Sequence, residues 1–124
     1  MKLFTPLSFL VVPALALCLV SCKKAPKVDA TQPLQQSFET AAPDVQQAIA
    51  TVNTSLKAND YAEATKALAP VVTQGPLTEP QRQAVGVAIR QINQAVAANP
   101  ALDTKEMYEL RARMFQAVHN GPRF

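Results

Sequence analysis

The chain of 124 residues has one histidine, His119, three glycines, at 75, 86 and 121, and two cysteines, Cys18 and Cys22. Each scarcity closes off a kind of chemistry. A lone histidine lacks the partners that general acid–base catalysis or metal ligation requires. Its place in the last turn of a predicted helix suits an interaction with that helix's C-terminus. Three scattered glycines cannot build a phosphate-cradling loop. No His, Cys and Asp residues fall at metal-ligand spacing, so neither a metal nor a dissociable cofactor is expected. No stretch sustains the period-two alternation of a half-buried strand, so no sheet is predicted. Cations are also scarce where a nucleic acid would need them. Of twelve Lys and Arg residues, Lys2, Lys23, Lys24 and Lys27 precede Val28. The remaining eight face all nine acidic residues, so the chain from Val28 onward carries a net −1 although the whole carries +3. Phosphate binding needs clustered cations on the folded part. No aromatic residue interleaves the cluster at 23–27, so there is no stacking platform for single strands.

What the chain does have is a hydrophobic lead. Lys2 and the amino terminus precede an apolar run over residues 3–20, interrupted by Thr5, Pro6, Ser8 and Pro13. This is the plan of a secretory signal. A retained transmembrane helix is the competing reading. The run is at the short end of the ~17–25 residues needed to span, and its two prolines disfavour a straight spanning helix. The run closes on Leu19-Val20-Ser21-Cys22. These four residues resemble the lipobox of bacterial lipoproteins: an aliphatic residue, a small or aliphatic one, a small one, then an obligatory cysteine. The resemblance covers about the first 25 residues. It implies lipidation of the Cys22 thiol with diacylglycerol, cleavage between Ser21 and Cys22, and acylation of the new amino group. Cysteine is required because its thiolate is the nucleophile that forms the thioether. One chain gives only marginal membrane binding at about 0.8 kcal/mol per buried methylene, so several chains on one residue make the anchor firm. Lys23, where an aspartate would imply retention at the inner membrane, implies an outer-membrane lipoprotein facing the periplasm. On this reading Cys18 leaves with the leader, and no intramolecular disulfide can form in the mature chain.

Residues 22–33 then form the lipidated cysteine and a flexible tether, with Pro26, Pro33 and three lysines. The lysines either touch anionic headgroups or are simply solvated. Residues 34–124 read as a small α-helical domain. A short helical turn is expected around 34–38. Val45, Ile49, Val52 and Leu56 recur at helical spacing behind Pro43, with Ala48 widening the stripe. Asn59 and Asp60 end that helix and start the next, whose apolar face is Ala64, Leu68, Val71 and Val72. Pro70 predicts a kink or early end there. Thr78 and Gln81 form a capping box before Val85, Ile89, Ile92 and Val96. Asp60 with Glu63, and Asp103 with Glu106, have the same spacing. The last helix carries Met107, Leu110, Met114 and Val118, with Tyr108 and Phe115 broadening the face, and Asn120, Gly121 and Pro122 end it. The fold class is therefore all-α: about four helices with short links, as a small antiparallel bundle or a repeat-like helical-hairpin domain.

Residues 56–72, "LKANDYAEATKALAPVV", resemble the middle of a tetratricopeptide repeat, with Tyr61, Ala64 and Leu68 in the matching roles. The resemblance implies a surface that binds protein segments. Tyr61, together with Met107, Met114 and Phe115, which could line a soft apolar groove, are the candidate partner-binding residues; an ordinary core is the other reading of Met107, Met114 and Phe115. Gly86, inside a helix, suggests close packing against a neighbour or a notch for a partner. Phe124 could dock on a partner. Glu63 with Lys66, Glu106 with Arg111 and Glu109 with Arg113 read as a solvated charged surface. The expected function is that of a membrane-anchored envelope lipoprotein with a non-enzymatic helical domain for protein–protein interaction. The alternative is a carrier holding a lipid or other apolar ligand between helices.

Overall fold

A computed structural model describes residues 27–120. Those residues form α1 (Thr31–Ser37), α2 (Pro43–Lys57), α3 (Tyr61–Thr73), α4 (Glu79–Ala98), a 3-10 turn (Pro100–Leu102) and α5 (Lys105–Asn120). The all-α class holds, with five helices among the described residues. The short turn expected at 34–38 is a full helix that starts earlier. Ala30 and Leu34 have no exposed surface and Phe38 has 2%. The folded domain therefore begins before Leu34, and the expected tether over 22–33 is shorter at that end.

Local chemistry sets the helix limits. Pro43 occupies the first position of α2, where its missing N–H costs no helical bond, and Asp44 in the first turn and Lys57 in the last complement the helix dipole. At its end the Asn59 N–H donates to Leu56 O (3.1 Å) and the Asp60 N–H to Ser55 O (2.8 Å). With Asn59 left-handed at φ 58°, this is a Schellman cap in which asparagine stands where glycine is usual. Asp60 Oδ1 then accepts from the Glu63 N–H at 3.1 Å. The reciprocal half of the expected capping box is missing, because the Asp60 N–H is already spent on Ser55. Thr78 and Gln81 form theirs completely (3.0 and 3.3 Å). The third box is displaced by one residue. Thr104 caps α5, its hydroxyl accepting from the Met107 N–H at 3.2 Å, while Asp103 is paired with Arg111. Pro70 does not end α3 early: the helix runs on to Thr73. Val72, two residues beyond Pro70, is buried, and that burial offsets the lost hydrogen bond.

The helices close into a ring. α1 packs on α2 and on α4, α2 on α3, α3 on α5, and α5 on α4, while consecutive α3 and α4 touch only slightly. Short links make α2–α3 and α4–α5 antiparallel hairpins. Lys66 meets Glu106 at 3.8 Å, and Gln74 and Arg113 line one groove further along, so α5 runs beside α3 in the same direction. α1 and α5 thus join two hairpins into a closed bundle. All four apolar stripe residues of α4 are buried, along with Ala84 and Ala88, which let neighbouring axes come close. Thr65, fully buried, donates its hydroxyl to Tyr61 O at 2.6 Å.

Candidate functional site

Cys22 and Ser21, the lipidation and cleavage positions, lie outside the described residues, as do Gly121, Pro122 and Phe124. What the structure places is the point where the chain behind Cys22 joins the domain. Asp29 turns the chain into α1: its carboxylate accepts from the Thr31 N–H (3.0 Å) and hydroxyl (2.7 Å). Those two bonds, with Lys57 and Lys27 at longer range, hold the Asp29 carboxyl below its ordinary value. The contact therefore adds stability above the ordinary carboxylate range that is lost as pH falls through the lowered value. The Ala30 N–H donates to Gln91 Oε1 of α4 at 2.9 Å in a buried bond. From the other side Asn53 of α2 donates its amide to Thr31 O at 3.1 Å. Asn53 Oδ1 itself is buried without a partner. Two amide side chains from different helices thus clamp the first turn of α1, which has no side-chain N-cap of its own. Sequence reasoning missed this clamp. The Asp29-x-Thr31 spacing was the available signal, being that of a side-chain turn; Gln91, beside Ile92 on the α4 stripe, was the other.

The candidate partner-binding residues separate. Met107 (3% exposed) and Met114 (0%) are core. Tyr61 is half-buried, and its hydroxyl donates to Asn59 Oδ1 at 3.2 Å, serving the α2–α3 link. Phe115 is 51% exposed and Tyr108 63%, so neither broadens the buried face. The reason is rotation: each lies one residue after a buried methionine, about 100° round the helix. The Phe115 ring stacks on His119 at 3.9 Å between centroids, and the His119 Nδ1–H donates to Phe115 O at 2.9 Å. His119 thus serves the helix end. Gly86 is not a close-packing point. A Cβ there would meet nothing within 4 Å.

The charged surface pairs differently from expectation. Lys66 reaches Glu106 across helices (3.8 Å), Lys105 reaches Glu109 (3.9 Å) and Arg82 reaches Glu79 (3.9 Å). Arg111 binds Asp103 and, at 2.8 Å, Asn93 Oδ1. Lys66 is captured by a neighbouring helix, Arg111 by the Asp103 that the shifted α5 cap leaves free, and Glu109 by Lys105 of its own helix. Two of the surface grooves among the described residues adjoin α2. One, of about 460 Å³, lies between the start of α2, the end of α3 and the loop beyond, with Phe38, Val45, Val71 and Leu77 in its walls and Asp44 among them. The other, of about 430 Å³, follows α1 and α2 and includes Asn53, Glu39 and Lys57. Among the described residues no group of three or more His, Cys, Asp or Glu is placed to hold a metal ion, and no helix is long and apolar enough to cross a membrane. Comparison with known proteins found no matching family model, curated protein or solved structure.

Proposed function

We propose that the chain is a lipid-anchored bacterial envelope protein whose non-enzymatic helical domain is held close to the membrane for protein–protein interaction. Lipid on Cys22 attaches it, and the mature chain faces the periplasm from the outer membrane. The observation that carries the reading is the clamp at Ala30. With Ala30 buried against Gln91, the domain starts almost directly behind the lipobox. Seven residue steps from Cys22 to Asp29 reach roughly 25 Å at full extension. So short a link suits a domain whose work is done at the membrane surface. Of the side chains that motivated the carrier alternative, Met107 and Met114 pack in the core and Phe115 stands on the surface.

The test compares wild type with Cys22→Ala for incorporation of labelled fatty acid and for membrane fractionation. The wild type should carry the label and sediment with membranes; the variant should do neither. Wild-type protein released to the soluble fraction without lipid would end the proposal.

A further inference from the structure

α5 has a seam that the core does not use. Tyr108, Ala112, Phe115 and His119 recur at spacings of four, three and four, the alternation of a coiled-coil contact line. Tyr108 and Phe115 are the exposed large hydrophobics among the described residues. They sit two turns apart on one face of one helix. Isolated exposed apolar residues need no explanation, but this pair comes with an ordered surround. A small residue lies between the two rings and a flat imidazole follows them.

That order is self-complementary. When the seam is set antiparallel against a copy of itself, Phe115 falls over the partner's Ala112 and Tyr108 lies beside the partner's His119. Each contact then occurs twice about a two-fold axis, as an isologous interface demands. The flanks agree. Glu109 and Gln116 border the same edge of the seam, and antiparallel pairing sets like edges against each other. The Glu109 carboxylate therefore meets amide donors of the partner's Gln116 and no second carboxylate. On the opposite edge Arg111 is drawn back to Asp103 and Asn93, with its side chain 17% exposed, so two guanidinium groups do not collide across the axis. We propose that this seam pairs two copies of the chain through an antiparallel α5–α5 contact. The proposal deepens the interaction-domain reading by naming the partner, and it does not depend on the lipid anchor.

The seam is about 16 Å long at 1.5 Å per residue, short of the ~1,200 Å² that a tight dimer buries. The pairing is weak and reversible, so a covalent trap reads it best. The full-length chain carrying Ala112→Cys is treated with a short bismaleimide across a concentration series, and crosslinked peptides are identified by mass to separate position 112 from the native cysteines. Gln47→Cys, on the exposed face of α2, is the reference. Crosslinking at 112 should exceed that at 47 by about tenfold or more, and adding Phe115→Asp should return it to the reference, as loss of a central aromatic anchor does. Tyr108→Lys, at the other end of the seam, should act in the same way, and circular dichroism should show both variants as helical as the parent. Equal crosslinking at 112 and 47, or crosslinking at 112 indifferent to both seam variants, would overturn the pairing. The Cys22→Ala fractionation reports on the anchor separately, so either reading can fall without the other.

Discussion

The first and last helices of the described chain meet the core in opposite ways. α1 is seven residues long, well below the ~12–15 at which an isolated helix begins to hold in water. Yet it buries Leu34, follows Ala30, and delivers Phe38 to the interior. It is the wedge between α2 and α4, and both of those helices spend an amide side chain on its first turn. α5 is sixteen residues long and capped by Thr104. It contributes Met107 and Met114 as its fully buried residues and turns Tyr108 and Phe115 to solvent. The weight of a helix in a small core follows from where it is wedged and not from how strongly its sequence announces it.

Urea unfolding can break or sharpen this contrast. Leu34→Ala should cost about 2–5 kcal/mol, the range for emptying a buried leucine site, while Phe115→Ala should stay within about 0.5 kcal/mol. Comparable losses at the two positions would erase the distinction. Gln91→Ala should cost about 1–3 kcal/mol by leaving the Ala30 N–H buried and unpaired. Hydrogen exchange should then quicken at Ala30 and through α1 while α5 keeps its protection. Uniform loss of protection would mean that the clamp is not local to α1. Gly86→Ala, with open space for its methyl group, should stabilise the fold by about 0.5–1 kcal/mol. Because Gly86 belongs to the wall and not to the wedge, the gap between Leu34→Ala and Phe115→Ala should persist in the Gly86→Ala background.

Much of the scaffold was legible because it rests on local rules. Pro43 at a helix start, the Thr78–Gln81 box, and the stripe of Val85, Ile89, Ile92 and Val96 each depend on neighbours within a turn or two, and all are found in the structure. What was misread depends on long-range choice. α1 carries too few apolar residues to declare itself, and only α2 and α4 together make it a helix. Asp103 has the spacing of a cap, but Arg111 competes for it. Pro70 argues for a break, and the burial of Val72 beyond it overrides that argument. Tyr108 and Phe115 show how coarse a stripe can be, since one residue's rotation separates a core side chain from an outer one. Of the candidate site, the resemblance of residues 19–22 to a lipobox stands on sequence alone, while the clamp at Ala30 needed Gln91 and Asn53 brought together from distant positions.

The buried start of α1 also sets a leash. On an anchored chain the free link would run only from Cys22 to about Asp29, so the domain would be confined to a thin layer above the bilayer and would search sideways by diffusion in the plane. Its encounters would then scale with surface density and not with volume concentration. A protein standing beyond that layer would be out of reach whatever its affinity, whereas a neighbour on a similar leash would meet the domain at matching height. Lengthening the link would thicken the layer and dilute every such encounter, with no side chain of the folded domain changed.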